Sequence, residues 1–137
     1  MSKMIFVNLP VADLARATAF YEAVGATRNP QFSDETTACM VISEAIHVML
    51  LTHPKFSQFT PRPIAGRDTI EVLNCLVAES RDAVDDFATR AAGAGGKDHA
   101  PAQDHGFMYG RSVEDPDGHV WEVMYMDMAA AAETMKG

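Results

Sequence analysis

The residues best suited to chemistry lie near the end of the chain. Glu122 is embedded in an apolar run, Val120 to Met126. A carboxylate among apolar side chains is costly unless it is paired or protonated. Arg111 is its candidate partner. A four-residue turn at 115–118 sets Glu114 opposite His119 and Arg111 opposite Glu122. Two readings of that pair stand open. A facing Arg–Glu pair can simply tie two strands together. Alternatively, Glu122 is a general base beside a substrate carbonyl, and Tyr109 and Arg111 bind an anionic or carbonyl oxygen.

The remaining reactive side chains are scattered. His53, His99, His105 and His119 fall in loops or turns and read as solvated groups. His105 differs in directly preceding a strand, so a metal held by His105, Glu122 and a third donor is conceivable, although no ligand spacing argues for it. Cys39 and Cys75 sit inside strand-like runs and read as small buried hydrophobes of a reducing compartment.

Composition narrows the partners. A chain of 137 residues fits one domain, and its hydrophobic content of 47% is ordinary for a globular protein. The net charge of -8 argues against a nucleic-acid partner, since phosphate binding needs clustered Lys and Arg. The start of the chain lacks the apolar core of a secretory leader, and no run approaches a membrane span. The expectation is a cytoplasmic protein with no membrane partner.

The elements that must position these groups follow from periodicity. Met4 to Val11 alternates as a strand. Asp13 is an N-cap for a helix with Leu14, Ala17, Tyr21 and Val24 on one side, closed by Gly25. A weak strand at 26–33 precedes better ones at Thr36 to Ser43 and Ala45 to Thr52. The segment 53–68 carries Pro54, Pro61, Pro63 and Gly66 and reads as a connection. Its Phe56 and Phe59 either pin it to the core or form a lid. The pattern then restarts with a strand over Thr69 to Val77 and an N-cap at Ser80. The helix that follows is striped by Val84, Phe87, Ala88 and Ala91 and ends at Gly93 to Gly96. A polar stretch at 97–106, read as a loop or as a loop containing a short strand, leads to strands Phe107 to Val113 and Val120 to Met126, joined by Asp115-Pro116-Asp117-Gly118. The tail from 128 to 137 reads as a short helix or as disorder.

The two halves overlay. Asn8 plus 66 is Asn74, Val11 plus 66 is Val77, and His47-Val48 plus 72 is His119-Val120. The difference of six places extra residues in the second half, around Gln103 to Gly106. Module one is expected over 3–52 and module two over 69–127, within one domain.

Three stretches carry a resemblance: Asn8 to Leu14, Phe20-Tyr21, and Glu114 to Glu122. On these the chain resembles the vicinal oxygen chelate superfamily, which includes glyoxalases, bleomycin-resistance proteins and dioxygenases. The resemblance implies an α+β fold of two βαβββ modules, with curled mixed sheets enclosing a cavity, helices outside, and a homodimer. It also implies four metal-ligand positions, here Phe6, Leu50, Val72 and Glu122. Only Glu122 is a conventional ligand, so no metal and no other cofactor is expected.

Alternation from those positions adds Asn8 and Asn74 to the inward-facing set, each offering a donor and an acceptor to a ligand, to water or to the other. The expected binding residues are thus Phe6, Asn8, Leu50, Val72, Asn74, Tyr109, Arg111 and Glu122. Three functions compete: a metal-independent protein binding a small organic molecule, a metal-dependent glyoxalase-like lyase or dioxygenase, and a metal-free isomerase using Glu122 as its base.

Overall fold

A computed structural model of the chain describes residues 3–130. The contacts separate into two units. One comprises the residues up to Glu71 together with Pro116–His119; the other comprises Val72–Asp115 and the residues from Val120 onward.

The first unit holds β1 (Ile5–Val11), α1 (Leu14–Ala23), β2 (Thr27–Arg28), a 3-10 turn, β3 (Thr37–Val41), β4 (Ile46–Thr52) and the short α2 (His53–Phe56). Its sheet runs β1-β4-β3-β2. β1 and β4 are parallel, and the other pairs are antiparallel. α1 begins where the Asp13 side chain accepts the Arg16 N–H at 3.0 Å. Ala17, Phe20 and Tyr21 are its buried face. The sheet is buried on both faces: Leu9, Val48, Leu50 and Met40 share one, and Cys39 and Leu51 share the other.

The segment Pro116–His119 belongs to this unit through specific bonds. Asp117 accepts the Ala12 N–H at 2.9 Å, and Arg67 donates to the Pro116 carbonyl at 2.9 Å. Gly118 has φ +88°, a backbone conformation that strains any side chain, while the space beside it, bounded by the Arg67 guanidinium at 3.4 Å, would accept a Cβ in ordinary contact. His119 is buried, with Nε2 donating to the Pro10 carbonyl at 2.7 Å and Nδ1 meeting the Glu71 carboxylate. Its expected solvation is therefore corrected. A turn histidine becomes a buried tie when its partners come from distant sequence.

The second unit holds β5 (Leu73–Val77), α3 (Arg81–Gly93), β6 (Lys97–Asp104), β7 (Met108–Glu114) and β8 (Val120–Met126). Its sheet, β5-β8-β7-β6, repeats the first in order and direction. The repeat extends to register. Leu9 pairs with Leu50, and adding 66 and 72 gives the observed pair Cys75 and Glu122. The extra residues of the second half are not confined to Gln103–Gly106. α3 has 13 residues against 10 in α1, and β6 has 8 against 2 in β2. The loop-like stretch at 97–106, expected to hold at most a short strand, is mostly a strand, irregularly paired to β7 around Ala100 and exposed along its length. Its polar composition hid it.

α3 starts at Ser80, whose hydroxyl accepts the Ala83 N–H at 3.0 Å, and buries Val84, Ala88 and Ala91. Val113, Trp121 and Val123 are buried on the α3 side of the sheet. Among the described residues no helix is long and apolar enough to cross a membrane. Most of the tail expected over 128–137 lies outside the described residues.

Candidate functional site

The alternation of β8 sorts the second sheet into two chemical faces. Trp121 and Val123 point toward α3, so Val120, Glu122 and Met124 point the other way. Register adds Leu73, Cys75 and Val77 from β5, and Gly110 and Ser112 from β7, to the Glu122 face. A cavity of about 400 Å³ opens on this face. Leu73, Cys75, Ser112, Glu122 and Met124 line it, and Gln103 of β6 walls one side. Apolar walls with a few placed polar groups are the usual make-up of a small-molecule site.

Glu122 is half-buried and makes no hydrogen bond or ion pair among the described residues. Cys75 lies beside it on the adjacent parallel strand. Partial desolvation on the strand, and next the Glu122 carboxylate, push the Cys75 thiol above its ordinary value, although its side chain still reaches solvent. This cysteine is exposed, which corrects its expected burial.

The expected Arg111–Glu122 pair does not form. Glu114 pairs with Val120, so Ser112 stands opposite Glu122 and Arg111 opposite Val123. The connection spans 115–119, one residue more than the counted turn, and one residue moves every side chain to the other face. Arg111 and Tyr109 instead face α3. Tyr109 donates to Asp85 at 2.6 Å, while Arg111 reaches Asp85 at 3.2 Å and Asp98 at 3.3 Å. The Tyr109 hydroxyl, then Arg111, holds the Asp85 carboxyl below its ordinary value.

The other expected residues separate. Val72 lies just before β5 and Asn74 within it, in phase with each other and out of phase with Cys75. Asn74 is therefore on the α3 face, paired in register with Trp121. Phe6 pairs with His47 and stacks on its ring at 4.6 Å. Asn8 is exposed on the same face as Phe6. Leu50 pairs with Leu9, faces the opposite way and is fully buried. Phe59 is 69% exposed, with the Lys55 ammonium 5.5 Å from its ring. His105 is exposed, and no three His, Cys, Asp or Glu side chains converge among the described residues.

These facts test the metal site implied by the resemblance. Phe6, Leu50 and Val72 offer only carbon, and Phe6 and Leu50 point to opposite faces of one sheet. Glu122 alone does not make a divalent site. The residues present do not fit the metal.

Met124 follows from alternation along β8 once Glu122 faces inward, whereas Cys75, Ser112 and Gln103 were not reached by sequence reasoning. For Cys75 and Ser112 the signal, alternation along β5 and β7, was present without a fixed phase, and Gln103 lies in the irregularly paired β6.

Residues 3–123 match the model of the Glyoxalase/Bleomycin resistance protein/Dioxygenase superfamily, and the chain belongs to that family. Among solved structures it is similar to a hypothetical protein of S. aureus, with 24% identity, a TM-score of 0.77, and coverage of 91% of this chain and 95% of that one. It is also similar to the lactoylglutathione lyase of Agrobacterium tumefaciens, with 20% identity, a TM-score of 0.68, and coverage of 93% and 96%. A bleomycin resistance determinant encoded on the transposon Tn5 shares 17% identity at a TM-score of 0.64, with coverage of 92% and 99%. At these identities the likeness establishes the fold. No curated protein matches the chain.

Proposed function

We propose that this chain binds a small organic molecule on the Glu122 face of its second sheet, without the metal site of its family. The carrying observation is the cavity of about 400 Å³, apolar in its walls and bearing a carboxylate that no protein group neutralises among the described residues. The relatives named for lactoylglutathione lyase and bleomycin resistance share the fold, and fold alone does not select between catalysis and binding. The donor set favours binding without metal.

A second reading rests on the same carboxylate. On it, Glu122 takes a proton from the bound molecule, and the chain is a metal-free isomerase. The protein acts as a cytoplasmic homodimer in either reading. The exposed apolar side chains Ile5 and Phe6 on β1 support a subunit contact.

Protein purified without chelator and assayed for metals tests the proposal, together with ligand binding before and after chelation. Substoichiometric metal and unchanged binding are expected. One tightly held divalent ion per chain, or binding lost on chelation, overturns it. Glu122→Gln separates the two readings: in the isomerase it abolishes turnover and spares ligand binding.

A further inference from the structure

We infer that the ligand of this cavity is an organic cation, an amine or ammonium on an apolar body, with Glu122 as its counter-ion. The inference rests on the proposed binding function and adds the class of ligand. Charge bookkeeping around the cavity carries it. Two lining residues, Arg111 and His99, can be positive, and both are already committed. The Arg111 guanidinium is turned to Asp85 and Asp98 on the far side of the sheet. The His99 ring meets the Glu114 carboxylate at 3.0 Å. No lysine lines the cavity.

Glu122 is thus the one formal charge facing the space without a partner among the described residues. The other groups around it, Cys75 and Ser112, are neutral in their ordinary states, and Leu73, Met108 and Met124 are apolar. A half-buried carboxylate beside apolar walls attracts a cation more strongly than a solvated one does, because fewer waters screen it. An anion entering the same space meets repulsion from Glu122 and finds no free cation. The net charge of -8 acts in the same sense over longer range. Methionine thioethers add a polarizable surface that adapts to an apolar body.

Three probes of similar size isolate the charge: 2-phenylethylamine, 2-phenylethanol and phenylacetate. Each is titrated calorimetrically into the intact wild-type protein and Glu122→Gln. The amine is expected to bind about tenfold or more tighter than the alcohol, and phenylacetate weakest of the three. Glu122→Gln should bring the amine to the level of the alcohol and leave the alcohol unchanged. Added salt should weaken the amine and spare the alcohol in the wild type, a readout that does not depend on the variant folding.

Equal affinity of amine and alcohol, tighter binding of phenylacetate, or an amine affinity indifferent to salt overturns the cation while leaving the cavity as a binding site. Binding of none of the three overturns the binding function itself.

Discussion

Cys75 and Glu122 stand side by side on the parallel strands β5 and β8, a thiol and a carboxylate sharing one cavity face. The thiol reports on its neighbour, because it is pushed up first by burial and then by the Glu122 charge. Alkylation of Cys75 by iodoacetamide should therefore need a pH above that required by an ordinary thiol. Glu122→Gln should move the alkylation profile part of the way down, since burial remains. A profile identical in wild type and variant would contradict the pairing.

Glu122 itself should be dispensable for folding. It contributes no hydrogen bond or ion pair among the described residues, so Glu122→Gln is expected to leave stability unchanged or raise it by up to about 1 kcal/mol. Urea unfolding measures this. A loss greater than about 1 kcal/mol would assign Glu122 a structural role.

His119 should behave in the opposite way. It is buried between the Pro10 carbonyl and the Glu71 carboxylate. His119→Ala leaves the Pro10 carbonyl without its donor and the Glu71 carboxylate without its ring partner, and is expected to cost about 1–3 kcal/mol. His99, 37% exposed beside Glu114, should cost about 0.5 kcal/mol or less on the same substitution. Equal losses would remove the distinction between a buried tie and a surface pair.

Asp85 gives the pH signature of the second unit. Its folded value lies below the ordinary 3.8, so its stabilising contribution is complete above that value and is lost as pH falls through the folded one. Asp85→Ala should cost about 1 kcal/mol at neutral pH, an amount limited by solvent at this half-exposed site. The gap from wild type should hold down to about pH 5 and close below pH 3.8. A gap that persists to the acid limit would show that Asp85 acts through packing rather than charge.

The fold was readable because its signals are local. Asp13 and Ser80 cap their helices as expected, and β8 spans the expected Val120–Met126. The repeat of 66 and 72 survives as paired register. The site was less readable because it depends on phase. Over 69–77 both Ile70-Val72 and Leu73-Cys75 suit a strand, and only pairing to β8 selects Cys75 as the neighbour of Glu122. One extra residue in the 115–119 connection sent Arg111 to the helix face. The bond from His119 to Glu71 spans 48 residues and has no signature in either segment.

A metal-independent cavity on the Glu122 face is open to methionine methyl NMR. Met108 and Met124 line the cavity, whereas Met40 is fully buried in the first unit. Chelator-treated protein carrying labelled methionine methyls is titrated in turn with 2-phenylethylamine, 2-phenylethanol and phenylacetate, and at least one of them is expected to bind. The Met108 and Met124 signals should shift and saturate while Met40 stays still. No saturable shift at Met108 and Met124, or shifts that appear only when a divalent metal is restored, would contradict the claim.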